Sequence, residues 1–152
     1  MRNKVTRFTS RYPMVIKLPT HASVTTASKL MAEHNVGAIM VIEEGRLTGI
    51  FTERDLVKRV VAMGLSTDET VLGEVMTPSP ITLKSGESVQ FALEVMTQNH
   101  IRHLPIEENG EIIGMVSLRD LFAAITEELK ENIDTKDAFI FGEVYGATSK
   151  AA

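Results

Sequence analysis

The sequence predicts an α/β fold of the mixed α+β kind: two β-α-β-β-α units related by a pseudo-two-fold axis, sheets packed together with helices outside. Three observations carry this. First, a shift of 65 lays residues 16–56 onto 81–121 without a gap and produces twelve identities: Ile16/Ile81, Leu18/Leu83, Ser23/Ser88, Val24/Val89, Ala27/Ala92, Met31/Met96, Glu43/Glu108, Gly45/Gly110, Gly49/Gly114, Arg54/Arg119, Asp55/Asp120 and Leu56/Leu121. Second, each copy contains one helical stripe, then two apolar runs split by turn residues. Third, 152 residues with 43% hydrophobic and 24% charged side chains suit about one globular body. Two copies are too few for a solenoid, so the halves are expected to bury their apolar faces against each other.

The elements follow in order. Each copy opens on a short extended segment, Val15 to Leu18 or Ile81 to Leu83. Ser23 or Ser88 then caps a helix whose buried face is Val24, Ala27, Met31 or Val89, Ala92, Met96, at i, i+3, i+7. The runs Ala38 to Ile42 and Leu47 to Phe51 flank Glu43-Glu44-Gly45, and Leu104 to Ile106 and Ile112 to Val116 flank Asn109-Gly110, a strong hairpin signal because both turn residues accept positive φ. A second helix is expected from about Glu53 to Met63 and from about Leu118 to Asn132. Gly64 to Pro80 joins the copies, its prolines favouring an extended crossing. By this reading residues 1–11 are a basic N-terminal arm, 12–70 and 71–132 the two repeats, and 133–152 a C-terminal tail.

Composition narrows the function classes. Sixteen Lys plus Arg against twenty Asp plus Glu give a net charge of -4, so no general positive field exists to hold a nucleic acid. Cysteine is absent, which removes thiol nucleophiles, redox pairs and Cys-based zinc sites. The longest apolar run, Val36 to Ile42, falls far short of the roughly 18 residues that span a bilayer, and the polar start carries no signal-peptide core. A cytoplasmic location and no membrane contact are therefore expected.

The chemistry-bearing residues lie where strand meets helix. Gly49-Ile50-Phe51-Thr52-Glu53-Arg54-Asp55 and Gly114-Met115-Val116-Ser117-Leu118-Arg119-Asp120 both read G-h-h-[ST]-x-R-D. One account is a capping box, in which Thr52 or Ser117 caps the helix and Asp55 or Asp120 returns a bond. Another uses the carboxylate to accept from both hydroxyls of a ribose diol, with the helix N-terminus beside it suited to phosphate or ribose oxygens. Position alone does not separate them.

The doubled motif, the phrase Leu72-Gly73-Glu74-Val75-Met76-Thr77-Pro78 and the run Ile101-Arg102-His103-Leu104-Pro105-Ile106 together resemble a tandem, stand-alone pair of cystathionine β-synthase (CBS) domains over about residues 12 to 130. The resemblance implies a non-enzymatic regulatory module that binds adenosine-containing ligands, AMP, ADP or ATP first and NAD or S-adenosylmethionine next, in two clefts between the repeats. It implies that Asp120 grips a ribose beside Ser117 and Arg119, that Arg102 and His103 face phosphates, and that Ile16 and Val36-Gly37 flank the adenine. The mirror cleft is implied to use Asp55, Thr52 and Arg54 with Ile81 and Ile101. Where the second copy has Arg102-His103 the first has Gly37-Ala38, so the Asp55 cleft is expected to lack cations for phosphate and the Asp120 cleft is favoured. The resemblance also implies a homodimer and an unidentified effector protein.

Competing readings attach to the remaining features. His100 and His103 form H-x-x-H, a weak metal signal without Cys, and His21 and His34 read as surface or junction residues. The eight Met suit gap-filling in the helices. No serine or carboxylate has the base and orienting group that hydrolysis needs, so no enzyme is expected. Arg2, Lys4, Arg7 and Arg11 make an arm expected to be solvated, with Arg11 placed for a phosphate contact. Phe139, Ile140, Phe141 and Tyr145 in the tail, and the stripe Leu118, Leu121, Phe122, Ile125, Leu129, are expected to pack on a neighbouring repeat or a dimer mate. The rival to a sensor is an oligomerising scaffold whose clefts are vestigial. A metal or nucleic-acid binder comes last.

Overall fold

The computed structural model describes the backbone of residues 4–11 and 15–148 and the side chains of 4–9 and 15–137. In chain order it contains α1 (Arg7–Arg11), β1 (Lys17–Leu18), α2 (Val24–His34), β2 (Ala38–Glu43), β3 (Arg46–Thr52), α3 (Glu53–Asp55) running into a π-helix (Leu56–Val61), α4 (Leu72–Val75), β4 (Thr77–Pro78), β5 (Leu83–Lys84), α5 (Val89–Asn99), β6 (His103–Glu108), β7 (Glu111–Ser117) and α6 (Leu118–Thr148).

The repeat is realised register for register. β1 pairs parallel with β2 and β2 antiparallel with β3, as β5 does with β6 and β6 with β7; Val41 faces Gly49 where Ile106 faces Gly114, and each hairpin bulges just after that pair. Both hairpins turn on two residues with positive φ, Glu44-Gly45 and Asn109-Gly110, the type I′ geometry that matches the strand twist. Ser23 and Ser88 accept from the amides of Thr26 and Phe91 as N-caps, and both helices end on a left-handed residue, Asn35 or His100. Their buried faces are Val24, Ala27, Met31 and Val89, Ala92, Met96, as the spacing requires.

Each sheet closes over its own core. One gathers Val24, Ile39, Val41, Phe51 and Val60, the other Leu83, Met96, Leu104, Ile106, Val116 and Leu121. On the opposite face of the strands Ala38, Met40, Ile50 and Pro105 are buried as well, so the central strands are covered on both sides.

Chain order and core membership cross over. Val5 and Phe8, in the arm expected to be solvated, are completely buried in the second repeat's core, while Leu72 and Val75, assigned by chain order to the second repeat, are buried in the first repeat's core. The two segments dock alike. Val5 N donates to Glu87 O and Leu72 N to Ala22 O, both at 2.9 Å; Lys4 bridges Ser88 as Val71 bridges Ser23. Thr9 lies on Gly114 as Met76 lies on Gly49, where a Cβ would collide with the Met76 sulfur. An offset of 67 therefore superposes Lys4 on Val71 and Phe8 on Val75. The arm's apolar pair at i, i+3 is buried while its described cations stay at the rim: Lys4 is exposed, and Arg7 stacks 5.6 Å from the Phe8 ring centre and pairs with Glu127 at 3.3 Å. The side chains of Arg2 and Arg11 lie outside the described residues.

Two further expectations are corrected. The second helix of the first repeat is α-helical only to Asp55 and then widens, with Ala62 N bonding Val57 O, where Arg59 is held by Asp55 and by Met76 O from a distant segment. In the second repeat no Pro and no left-handed cap stops the helix near Asn132, and α6 runs for 31 residues, absorbing most of the segment read as a separate tail. The side chains of Phe139, Ile140, Phe141 and Tyr145 lie outside the described residues.

Candidate functional site

The two motif acids close the same local ring. Asp55 Oδ2 accepts from Thr52 N (3.0 Å) and Thr52 Oγ1 (3.1 Å), and Asp120 Oδ2 accepts from Ser117 N (2.9 Å) and Ser117 Oγ (2.6 Å). The hydroxyls return the bond to the amides of Asp55 and Asp120 at 3.2 and 3.1 Å. The capping box is thus real at both sites.

Beyond the ring the acids diverge. Asp55 is 7% exposed, receives Thr77 Oγ1 at 3.1 and 3.3 Å on its two oxygens, and faces Arg59 Nε at 3.5 Å. Arg59 also donates to Met76 O at 2.7 Å, so it clips the π-helix to the segment that contributes Thr77. Asp120 is half-buried, and its Oδ1 has no hydrogen-bond partner among the described residues. Position 124, which matches Arg59, is Ala, and Ser10, which matches Thr77 by the docking offset, has its side chain outside the described residues. Both oxygens of Asp55 are therefore engaged, whereas Asp120 retains acceptor capacity among the described residues.

Around Asp120 the repeats touch through a glycine. A Cβ on Gly37 would meet His103 Cε1 at 3.2 Å, His103 Nε2 at 3.3 Å and the Glu53 carboxyl carbon at 3.4 Å, so the imidazole and the carboxylate lie over bare backbone. Burial holds His103 below the usual imidazole range; Arg102 lowers it further, and Glu53 and Asp120 oppose the shift. Burial thus favours the uncharged form of the ring. The strand ends are pinned equivalently, Gly37 O by Glu53 N at 3.0 Å and Arg102 O by Leu118 N at 2.8 Å.

Arg102 and His103 serve different surfaces. Arg102 lines an open depression of about 300 Å³ with Arg54, Met96, His100, Ile101 and Leu118. Arg54 Nη1 crosses the repeat boundary to donate to His100 O at 2.7 Å. The expectation that the Asp55 side lacks cations is thereby corrected: folding brings Arg102 of the second repeat beside Arg54 of the first. His100 and His103 likewise have separate surroundings, and no group of three His, Asp or Glu able to hold a metal exists among the described residues.

The other sequence-derived residues are placed as follows. Ile16 and Val36 are half-buried against the first core, Ile16 O accepting from Met40 N and Val36 N donating to Met31 O. Ile101 packs on the second core, and Ile81 is 43% exposed. Arg119 is exposed and makes no hydrogen bond or ion pair among the described residues. Sequence reasoning missed Glu53, Arg59 and Thr77. Only Arg59 left a signal, its i, i+4 spacing from Asp55; the other two are brought in by pairing between distant segments. No helix among the described residues is long and apolar enough to cross a membrane.

Comparison with known proteins agrees with this architecture. The CBS domain profile matches twice, at residues 10–62 and 72–127. The chain is 38% identical over 128 residues to the mitochondrial CBS domain-containing protein CBSX3 of Arabidopsis thaliana, covering 81% of this chain and 62% of that one. It is 36% identical over 131 residues to an uncharacterized protein of Methanopyrus kandleri, covering 80% and 66%. It thus spans just under two thirds of the length of these two relatives. Among solved structures, a CBS-domain containing protein from Agrobacterium tumefaciens superposes with a TM-score of 0.75 at 31% identity, covering 82% of this chain and 94% of that one. The chain belongs to the CBS domain family, as a tandem pair.

Proposed function

We propose that this tandem CBS pair is a non-enzymatic regulatory module that holds an adenosine-containing ligand in the Asp120 cleft and passes its presence on as a change in how the repeats, or two copies of the chain, are arranged. The observation that carries the reading is that Asp120 Oδ1 has no hydrogen-bond partner among the described residues, whereas both oxygens of Asp55 are engaged. A carboxylate already oriented by Ser117 through one oxygen offers the other to a ribose hydroxyl without reorganising. Val36 and Gly37 supply apolar surface and backbone on the facing repeat, and His103 a hydrogen-bond donor or acceptor. AMP, ADP and ATP are the first ligands to test, NAD and S-adenosylmethionine the next. The Asp55 cleft is proposed as structural.

Signalling needs two states with different ligand affinity. The contacts that cross the repeats at the cleft, Arg54 to His100 O and His103 on Gly37, would differ between them. An effector protein reads the change, the working form is a homodimer, and the cytoplasm is the proposed compartment. An assembly role without ligand is the second reading, favoured by Phe122, Leu129 and Ile133, which are 53 to 58% exposed on α6.

Thermal-shift measurement of wild type, Asp120→Asn and Asp120→Ala with the five ligands tests the reading. Ligand at 100 times its Kd should add about 2.7 kcal/mol, roughly 5 to 10 °C at this chain length, and both variants should abolish the shift. A flat wild-type panel with an intact dimer favours the assembly role.

A further inference from the structure

The Asp120 cleft and the Arg54 depression differ at one matched position, Glu53 on the first and Leu118 on the second. In the cleft the Glu53 carboxyl carbon and the His103 ring lie within 3.4 Å of one point above Gly37. Glu53 is exposed, and its carboxylate has neither hydrogen bond nor ion pair among the described residues. Asp120 and Arg102 also act on the charge of the same imidazole. The Arg102 side chain lines the depression, where Arg54 joins it and where Leu118, the residue matching Glu53 in the second repeat, supplies an apolar wall. One substitution between the copies, Glu53 for Leu118, thus leaves in one cleft a carboxylate with no partner among the described residues, and none among the residues lining the other.

We propose that Glu53 is a specificity-determining residue that sets the Asp120 cleft for an adenosine ligand with an uncharged or cationic 5′ substituent and against a polyphosphate. This rests on the reading of Asp120 as the ribose acceptor. A ligand whose diol is bound there presents its 5′ group to the cleft that Gly37, His103 and Glu53 line. A carboxylate repels every phosphate charge brought within a few Å, even at an exposed position. An unpaired carboxylate is also a ready counter-ion for a sulfonium or ammonium group. The nucleotides that the motifs bring to mind first are, on this argument, the weaker ligands of the class.

Isothermal titration of the full chain with 5′-methylthioadenosine, S-adenosylmethionine, AMP and ATP, for wild type, Glu53→Gln, Glu53→Leu and Asp120→Ala, tests the proposal. Wild type should bind the first two at least about tenfold more tightly than ATP, and either Glu53 variant should raise ATP affinity about tenfold while moving 5′-methylthioadenosine less than about twofold. Leu is the residue the second repeat carries at this position, so Glu53→Leu guards against a folding artefact of Gln. A wild-type preference for ATP, or variants that move all four ligands alike, overturns the proposal. If binding is lost in Asp120→Ala but selectivity is unchanged in the Glu53 variants, the ribose site stands and only the role of Glu53 fails. Absence of binding by any ligand, or full binding by Asp120→Ala, overturns the site and the proposal together.

Discussion

Asp55 and Asp120 occupy matching positions on matching turns, yet Asp55 is gripped by Thr52, Thr77 and Arg59, whereas Asp120 is held by Ser117 alone among the described residues. The difference originates outside the turns. Position 59 is Arg in one copy and its counterpart at 124 is a buried Ala in the other, and the segments docked beside the two sites, 71–78 and 4–11, have diverged in sequence although they dock alike. The two copies therefore carry the same local device, and the different docking segments set it in different surroundings, one acid fully engaged and the other held by Ser117 alone among the described residues.

The comparison can be broken most forcefully at the exchanged segments. Phe8→Ala should cost about 3 to 5 kcal/mol, because it empties a fully buried ring site in the second core, and Val75→Ala, its counterpart in the first core, about 1 to 3 kcal/mol. Urea denaturation checks both, and a solvated arm would show no loss for Phe8. Next come the acids. Asp55→Ala should lower stability by about 2 to 4 kcal/mol by stranding Thr77 and Arg59, with little change in ligand response. Asp120→Ala should cost only about 1 kcal/mol, the worth of one cap, but remove the response. Equal stability losses from the two would erase the contrast.

The smallest expected effect is that of His103. Its folded pKa lies below the ordinary imidazole value through burial, so the unfolded chain binds the extra proton first on acidification. The stability it contributes is complete above its unfolded pKa, about 6.5, and is lost as pH falls through the lower folded value. His103→Asn should flatten the Tm-against-pH curve on acidification below about pH 6.5; an unchanged curve would mean that the ring is not desolvated where it packs on Gly37.

Much of this was legible along the chain because its causes are local. Ser23 and Ser88 at helix starts, Asn109-Gly110 in a turn, and apolar residues at i, i+3, i+7 each specify an element within a few residues. The capping partnership of Thr52 with Asp55 was equally readable, and its doubling identified the motif. The π-helix was not, since widening one helical turn depends on what holds Arg59 and Asp55 from Met76 and Thr77. Nor was the fate of Val5 and Phe8, where five residues of apolar and basic character admit both a solvated arm and a docked one until a core that lacks a wall is found for them.

By itself the sequence determined the two repeats, their element order, the hairpin registers and the paired acids at the strand-to-helix turns, because periodicity, caps and turn residues act over neighbouring positions. Tertiary structure alone decided which core each linking segment completes, that Asp55 is engaged through both oxygens while Asp120 is held through one among the described residues, and that Glu53 faces His103 over Gly37 while Arg102 joins Arg54. Those outcomes depend on contacts between residues far apart in the chain, fixed by burial and charge only once the sheets have closed.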